Sequence, residues 1–294
     1  MKDKKILVTG VKGQLGYDVV KELQKQSFIH VLGIDKDELD ITDEKKVNDF
    51  IRDYHPDIVI HCAAYTSVDK AEEEKDLAYK VNSLATKYIA SSCKEIDATM
   101  LYISTDYVFD GKGDKFFETD DLKNGLSVYG KSKSEGEECV KSILNKFFIV
   151  RISWAFGING NNFVKTMIRL SESKKDKITV VDDQIGSPTY TKDLSVLIAQ
   201  MIQTEKYGIY HATNEGVCSF FAFASQIMKM IKSKTEVVKI SSEEYRKLVP
   251  NQAERPLNSR LSKKSLVDNG FSLLPDWKDA LKRYIYDELK YIKE

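Results

Sequence analysis

The sequence has no excess of either charge and no long hydrophobic run. Lys and Arg total 45 residues, as do Asp and Glu, so the formal net charge is zero. This balance gives no global reason to expect a nucleic acid or an anionic membrane as partner, although a local basic pocket stays open. No run approaches the roughly 20 apolar residues of a membrane span. The first residues lead into a strand-like segment without the apolar stretch of a signal peptide.

Cysteine and histidine are scarce and widely spaced. The sequence contains no C-x-x-C pair, which argues against a zinc site and against a disulfide framework. A reduced, cytoplasmic protein is the better interpretation. The histidines show no metal-ligand spacing either. The residues concerned are Cys62, Cys93, Cys139, Cys218, His30, His55, His61 and His211.

Apolar runs alternate with helix-like segments through the first half of the chain. Leu15, Val19 and Leu23, for example, recur at helical spacing after the first run. The runs are nearly continuous in apolar residues, as in a sheet that is covered on both faces. This alternation predicts an α/β fold with a doubly wound, parallel Rossmann-type sheet. The expected strands are Lys5–Thr9, His30–Ile34, Asp57–Ala63, Thr99–Ser104, Phe148–Ile152, Ile178–Val181 and Ile209–Ala212.

Between the third and fourth expected strands, the spacing predicts one long helix. Its apolar residues would share a single face. They are Leu77, Val81, Leu84 and Tyr88.

A glycine-rich segment follows the first strand and opens a helix. It carries Gly10, Gly13 and Gly16, in the G-x-x-G-x-x-G spacing that is typical of short-chain dehydrogenases. The first glycine would allow a tight turn, the second a close approach of backbone to a pyrophosphate, and the third close packing of helix on strand. Free N–H groups at the helix start favour the phosphates. The context therefore predicts a dinucleotide site.

The end of the second strand bears on the choice of cofactor. Asp35 can accept hydrogen bonds from the adenosine ribose, which favours NADH. Lys36 could instead attract a 2′-phosphate, so NADPH stays open. The cofactor-binding residues that we predict are Gly10, Gly13, Gln14, Leu15, Gly16, Asp35, Asp40, Ile41, Ala63, Ala64 and Tyr65.

A catalytic group is expected after the fourth strand. Tyr129 and Lys133 are four residues apart and would share one face of a helix. A nearby ammonium stabilises a phenolate, so we expect Lys133 to lower the pKa of Tyr129 from its ordinary value of about 10. Tyr129 could then exchange a proton with a carbonyl oxygen. Thr105 would hydrogen-bond the same oxygen, and Lys133 would reach the nicotinamide ribose.

The regular alternation of strand and helix loosens after Trp154. No linker or low-complexity tract separates two independent domains there. We predict an NAD(P)-binding Rossmann domain at 1–153, to which the chain returns near 178–213. The rest of 154–294 would form a smaller, mainly substrate-binding C-terminal lobe.

Seven stretches of the sequence resemble the dTDP-4-dehydrorhamnose reductase family of extended short-chain dehydrogenases. They span nearly the whole chain, and those near the C-terminus are more specific than the glycine loop. The stretches are Gly13–Gly16, Ala63–Glu72, Ser104–Gly111, Tyr129–Glu137, Asn161–Met167, Asp183–Thr189 and Arg255–Leu261.

The resemblance implies reduction of the C4 keto group of dTDP-4-dehydro-6-deoxy-L-mannose with NADPH or NADH, a step of dTDP-rhamnose and polysaccharide biosynthesis. By position, the catalytic residues would be Thr105, Tyr129 and Lys133. An arginine suits a pyrophosphate because its planar fork binds two oxygens at once. The implied substrate-binding residues are Thr66, Val68, Asp106, Trp154, Asn161, Asn162 and Arg255.

Each substrate-side residue also has a structural interpretation. Trp154 could belong to the core. Asn161 and Asn162 could cap the helix that begins at Phe163. Arg255 could be a surface-loop residue.

The metal and oligomer predictions also follow from the resemblance. Some members of the family hold magnesium at a dimer contact through acidic residues. Asp18 is acidic here, but Lys192 stands near one expected ligand position. A metal-bridged dimer is therefore doubtful, and we predict no metal. A homodimer stays open.

Three other functions remain to be weighed. A nucleotide-sugar epimerase or dehydratase would use the same trio, but a 4,6-dehydratase usually carries Asp-Glu after the threonine, where this chain has Asp106 and Tyr107. A non-catalytic regulatory subunit would be expected to lose part of the trio or the cofactor loop. A reductase for another dTDP-4-keto-6-deoxyhexose is not distinguished by the sequence.

Overall fold

The computed structural model describes residues 3–173 and 176–291. Its strands are β1 (Lys4–Thr9), β2 (Ile29–Ile34), β3 (Ile58–His61), β4 (Thr99–Thr105), β5 (Phe147–Ile152), β6 (Ala155–Phe156), β7 (Lys177–Val181), β8 (Ile185–Gly186), β9 (Thr189–Tyr190), β10 (Gly208–His211), β11 (Asn214–Glu215), β12 (Cys218–Ser219), β13 (Glu236–Ile240), β14 (Asn258–Ser259) and β15 (Leu274–Asp276). Its α-helices are α1 (Gln14–Leu23), α2 (Glu44–Tyr54), α3 (Val68–Ala71), α4 (Lys75–Tyr79), α5 (Ala85–Glu95), α6 (Val128–Ile143), α7 (Phe163–Glu172), α8 (Thr191–Met201), α9 (Phe220–Met230), α10 (Ser242–Leu248), α11 (Lys264–Asp268) and α12 (Trp277–Arg283).

Six strands form one parallel sheet, in the order β10-β5-β4-β3-β1-β2. The chain reverses its direction across the sheet at β1, which pairs with both β2 and β3. In sheets of this kind the crevice outside the carboxyl ends of the strands at this switch point is the usual ligand site. The predicted doubly wound Rossmann-type fold is confirmed.

Alternate side chains of the central strands supply two separate cores. Ile6 and Val8 of β1 pack with α1 and α8, whereas Leu7 packs on the other face with α2, α5 and α6. Because helices cover both faces, β3 is buried at every position and β1 from Ile6 to Thr9, which explains the continuous apolar runs of these strands. None of the helices in the described part of the chain is long and apolar enough to cross a membrane.

The residues after 154 build a second lobe, apart from α8, β10 and α11, which belong to the large sheet and its covering layer. The lobe has a core of aromatic side chains from β6, β9, α9 and α12. The strand expected at Ile178–Val181 forms as β7, but it pairs with β13 and does not join the central sheet. Its residues alternate between exposed and buried, as in a strand with one face in solvent. The domain boundary between residues 153 and 154 stays a prediction. The start of the predicted domain 1–153 and the end of the predicted lobe 154–294 lie outside the described residues.

The long helix predicted around Leu77 to Tyr88 forms as an unbroken helical run of α4, a π-turn and α5, but its apolar positions are not the buried face. A π-helical turn at Lys80–Leu84 separates α4 from α5 and shifts the register. Leu77 and Leu84 are 44% and 41% exposed, while small and polar residues of the π-turn and of α5 face inward. Close packing against α6 requires this, since a Cβ at Gly136 would lie 2.4 Å from the Asn82 carbonyl oxygen.

A buried ion pair fixes α6 to the sheet. Glu137 of α6 accepts two hydrogen bonds from Arg151 of β5, at 2.8 and 2.7 Å, and one from Ser104 of β4 at 2.6 Å. Burial alone would raise the pKa of Glu137, but Arg151, Lys123 and Ser104 outweigh it and lower the pKa to about 2. The helix that carries Tyr129 and Lys133 is therefore held by charge as well as by packing.

We expect Glu137→Gln to destabilise the fold strongly. The change leaves the Arg151 guanidinium buried without its counter-charge, and breaking a buried pair in this way costs about 3–5 kcal/mol of unfolding free energy. Urea unfolding monitored by circular dichroism measures the difference. Glu243→Gln, which removes an exposed helix-surface pair with Lys247, is the matched control and should stay close to wild type. Equal stability of the two variants would contradict a structural role for the buried pair.

Candidate active site

A cleft of about 1060 Å³ lies at the carboxyl ends of the central strands, between the sheet and the second lobe. Gly10, Asp35, Ala63 and Thr105 line it from the ends of β1 to β4, and Trp154 lines it beyond β5. Its volume is at the upper end of the roughly 300–1,000 Å³ typical of small-molecule sites. The cleft therefore has room for a ligand larger than a simple metabolite.

The glycine loop packs where side chains cannot fit. Gly10 adopts a left-handed conformation with φ +73°, and a Cβ there would lie 2.7 Å from the Ala63 backbone. A Cβ at Gly16 would lie 2.4 Å from the Gly10 carbonyl oxygen. Gly13 precedes α1 and places no side chain over the first N–H groups of that helix. Such N–H groups have no partner within the helix and bind anions well.

Acidic and basic groups share the rim at the end of β2. The Asp35 carboxylate accepts the Lys12 N–H at 2.9 Å and the Lys36 N–H at 2.8 Å, while the Lys12 ammonium pairs with Asp37. Farther along the rim, Asp40 accepts the Thr42 hydroxyl at 2.7 Å, which lowers the pKa of Asp40. Because acidic and basic side chains lie side by side here, the charge of this rim is compatible with both NADH and NADPH.

The segment after β3 is held in place by hydrogen bonds to a buried asparagine. Asn82 accepts the Tyr65 N–H at 2.8 Å and donates to the Tyr65 carbonyl at 3.1 Å and to the Ser132 hydroxyl of α6 at 3.0 Å. Ala63 and Ala64, just before it, expose only small side chains to the cleft. These hydrogen bonds of Asn82 thus fix the wall of the cleft that faces α6.

Thr105, Tyr129 and Lys133 all line the cleft. Thr105 ends β4, whereas Tyr129 and Lys133 lie one turn apart at the start of α6. Ser127 caps that helix by accepting the Gly130 N–H at 3.1 Å. The structure therefore brings together a hydroxyl, a phenol and an amine, as the sequence spacing predicts.

The electrostatics of this trio differ from the expectation. Burial raises the pKa of Tyr129 to about 12, although a hydrogen bond with Thr105 opposes the shift. The Lys133 amine does not lower it, because it donates to the Ile103 carbonyl at 2.7 Å and lies 3.9 Å from the centre of the Tyr102 ring. Burial lowers the pKa of Lys133 to about 7, with Glu137 opposing. Tyr129 is consequently a protonated phenol at neutral pH.

On the substrate side, five predicted residues line the cleft: Asp106, whose carboxyl oxygens are already engaged, and four others. Trp154 adopts a left-handed conformation with φ +48° and stacks on Phe220, with ring centres 3.8 Å apart. Asp106 also lines the cleft, but its two carboxyl oxygens are bonded to Thr105 and Ser259, at 3.0 and 2.5 Å. The four residues are Thr66, Val68, Trp154 and Asn161.

Asn162 and Arg255, both predicted to bind substrate, do not line the cleft. Asn162 caps α7 by accepting the Lys165 N–H at 3.0 Å, and its amide nitrogen donates to Gln14. Arg255 donates to Asp69 at 2.8 Å. Asn162 is thus held in a helix cap and Arg255 in an ion pair, so neither side chain reaches the cleft.

The residues at the ends of β1 and β2 form a site that fits a dinucleotide. A Cβ at Gly10 or Gly16 would clash with neighbouring backbone, the N-terminus of α1 opens into the cleft, and an acidic residue follows β2. These are the features that bind a pyrophosphate and a ribose in Rossmann-type sheets.

Comparison with known proteins agrees with this geometry. The family model described as RmlD substrate binding domain matches residues 4–290. A dTDP-4-dehydrorhamnose reductase of Aggregatibacter actinomycetemcomitans is 41% identical over 292 residues, which cover 95% of this chain and 97% of that protein. The chain belongs to the dTDP-4-dehydrorhamnose reductase family.

Two other proteins illustrate the range of the dTDP-4-dehydrorhamnose reductase family and its relatives. The spore coat polysaccharide biosynthesis protein SpsK of Bacillus subtilis is 40% identical, with 96% of this chain and 97% of SpsK covered. The crystal structure of dTDP-4-dehydrorhamnose reductase from Bacillus anthracis, in complex with NADP, superposes with a TM-score of 0.93 at 42% identity. The match covers 98% of this chain and 100% of that one.

In this member of the dTDP-4-dehydrorhamnose reductase family, sequence reasoning missed three residues that support the site. Glu137 and Ser259 stand inside stretches that carry the family resemblance, and their position there could have indicated them. Asn82 offered no such signal, because nothing local shows that a polar residue in a helix is buried.

The acidic residue considered for a metal contact has protein partners. Asp18 accepts the Thr191 hydroxyl at 2.5 Å, and burial raises the pKa of Asp18. Lys192 pairs with Glu288 at 2.5 Å. Within 3–173 and 176–291, no three or more His, Cys, Asp or Glu residues are grouped so that they could hold a metal. The absence of a metal stays a prediction.

We expect Lys133→Met to change the pH dependence of stability. The folded protein releases the Lys133 proton near pH 7, well below the unfolded chain, so wild-type stability rises with pH above that point. The variant should be more stable than wild type below about pH 7, because it buries no charge, and this advantage should shrink by up to about 1.4 kcal/mol per pH unit above it.

Urea unfolding at several pH values measures this difference. Lys131→Met, at an exposed position of the same helix, is the matched control and should show no such pH dependence. A constant difference between Lys133→Met and wild type across this range would contradict the lowered pKa of Lys133.

Proposed function

We propose that this chain uses NADPH or NADH to reduce the C4 keto group of dTDP-4-dehydro-6-deoxy-L-mannose to dTDP-L-rhamnose. Family membership makes it an NAD(P)H-dependent oxidoreductase of nucleotide-sugar metabolism. The finer assignment rests on one arrangement. Thr105, Tyr129 and Lys133 meet in the cleft at the switch point, beside the glycine cradle for a dinucleotide.

Each group of predicted cofactor residues would contact a different part of the dinucleotide. The loop from Gly10 to Gly16, with Gln14 and Leu15, would hold the pyrophosphate, and Asp35 would bind the adenosine ribose. Asp40 and Ile41 would contact the adenine. In the segment Ala63–Tyr65, the small side chains of Ala63 and Ala64 would leave room for the cofactor.

The chemistry at the keto carbon follows from the trio. Bound NAD(P)H would supply the hydride that forms the new C4–H bond. Thr105 and Tyr129 would hold the carbonyl oxygen, which receives the electron pair of the broken π bond and takes the Tyr129 hydroxyl proton. The raised pKa of Tyr129 suits this direction, since the donor starts protonated at neutral pH. Lys133 would reach the nicotinamide ribose.

The nucleotide part of the substrate would lie against the second lobe. Trp154 offers an aromatic face there, already backed by Phe220. Asn161 would add polar contact, and Thr66 and Val68 would border the sugar. Arg255 could bind the diphosphate only after its bond to Asp69 breaks.

The competing functions are less well supported. Tyr107 stands where a 4,6-dehydratase usually carries glutamate, and its ring packs edge-on against Tyr129 at 5.4 Å. A non-catalytic regulatory subunit has no need of a complete trio beside an open glycine cradle. A homodimer and a cytoplasmic location stay predictions.

Replacing Tyr129 by Phe should lower turnover by about 10²-fold or more, the usual scale for loss of a general acid. Purified protein is mixed with NADH or NADPH and the enzymatically generated keto sugar, and the absorbance of the reduced nicotinamide is followed. Cofactor binding, measured by fluorescence titration, should persist in the variant. Tyr54→Phe removes a hydroxyl outside the cleft and should keep full activity.

Unchanged turnover in Tyr129→Phe would remove Tyr129 from the mechanism. Cofactor binding without any reduction of this sugar by the wild type would favour another keto sugar or a regulatory subunit.

A further inference from the structure

Asp106 is a buried carboxyl group with no counter-charge. It follows Thr105 at the end of β4 and is 2% exposed. Its Oδ1 lies 3.0 Å from the Thr105 hydroxyl, and its Oδ2 lies 2.5 Å from the hydroxyl of Ser259 in β14. Among the described residues no ion pair includes Asp106. Burial raises its pKa to about 6, although hydrogen bonds from Ser259, Thr105 and the backbone of Asp106 and Tyr107 oppose the shift. A carboxyl group in such a place readily takes up a proton.

The charge state of Asp106 decides where the Thr105 proton points. A threonine hydroxyl has one proton to donate and two lone pairs that accept. One lone pair of Thr105 accepts the Tyr107 N–H at 3.2 Å. An ionised Asp106 can only accept, so it would take the single Thr105 proton. Thr105 could then only accept, so it would not donate to a ketone in the cleft and would compete with that ketone for the Tyr129 hydroxyl proton.

Protonation of Asp106 reverses this arrangement. As long as Ser259 donates to Oδ2, the acid proton resides on Oδ1 and is donated to Thr105. Both lone pairs of Thr105 are then occupied, by the Tyr107 N–H and by Asp106. The Thr105 proton is free to point into the cleft, and the Tyr129 proton no longer has Thr105 as an acceptor. Both donors are thereby directed at the carbonyl oxygen.

We propose that Asp106 is a positioning residue that works in its protonated form and directs the Thr105 and Tyr129 hydroxyls to the substrate carbonyl. The role rests on the proposed ketone reduction but adds a fourth residue to the trio. Ser259 belongs to the second lobe, so its bond to Asp106 also ties that lobe to the catalytic strand.

Other ionisable groups near Asp106 must be separated from it in a pH study. Tyr107 and Tyr129 face it, and the pKa values of both are raised by burial, so they stay neutral. Asp69 and Arg255 act on Tyr107 and form an ion pair with each other. Lys133, farther along α6, has a pKa near 7 and is the group that could be confused with Asp106.

The first test compares two substitutions in single-turnover reduction. In Asp106→Asn the amide nitrogen can donate to Thr105 while the amide oxygen accepts from Ser259, so this variant copies the protonated acid. It should keep a rate close to the wild-type maximum and lose the Asp106-dependent decline as pH rises from about 6 to 8. Asp106→Ala should be slower by about 10²-fold, the scale for one lost donor to a developing oxyanion.

An Asp106→Asn variant as slow as Asp106→Ala, with both folded by circular dichroism, would overturn the proposal. It would also be overturned if Asp106→Asn kept the full wild-type pH profile, since Lys133 would then account for the decline.

A second measurement does not depend on turnover. The infrared C=O band of a protonated carboxyl group, assigned to Asp106 by its loss in Asp106→Asn, should fade as the pH is raised through about 6. An Asp106 that is fully ionised at about pH 5 would overturn the proposal. If the wild type reduces no keto sugar, the proposed function fails, whereas the infrared result still decides the charge state of Asp106.

Discussion

The buried pair between Glu137 and Arg151 is the interaction on which the site depends. It joins α6 to β5 directly and to β4 through Ser104. Arg151 extends the network by donating to the Thr119 carbonyl at 2.9 Å and by its contact with His211 of β10 at 3.2 Å. Because Thr105 follows Ser104, and Lys133 lies one turn before Glu137, the pair sets the distance between the parts of the trio. Displacements of about 1 Å are enough to lower catalytic rates substantially.

The ionisable groups of the site are buried, and burial disfavours their charged forms. Lys133 and Asp106 both have pKa values shifted toward their neutral forms, and Tyr129 is held as a phenol. A set of donors with little net charge suits a reaction in which negative charge develops on a carbonyl oxygen. Burying such groups lowers stability, as is common at functional sites.

Local patterns were enough to predict the sheet, the glycine loop and the trio. The apolar runs, the strand–turn–helix context and the four-residue spacing of Tyr129 and Lys133 are each readable within a few residues. The π-turn, the pairing of β7 with β13, and the partners of Asn162 and Arg255 depend on contacts between distant segments. The pKa of Tyr129 was wrongly expected to fall because spacing places Lys133 on the same face but does not show that its amine bonds to Ile103.

The most direct test of the reductase account follows the transferred hydrogen itself. Wild-type protein is incubated with the keto sugar and NADH or NADPH that carries deuterium at the transferable position, and the product is examined by nuclear magnetic resonance. The account predicts that deuterium appears at C4 of the sugar with a single stereochemistry. A product without deuterium at C4, or an unchanged keto sugar beside bound cofactor, would contradict it.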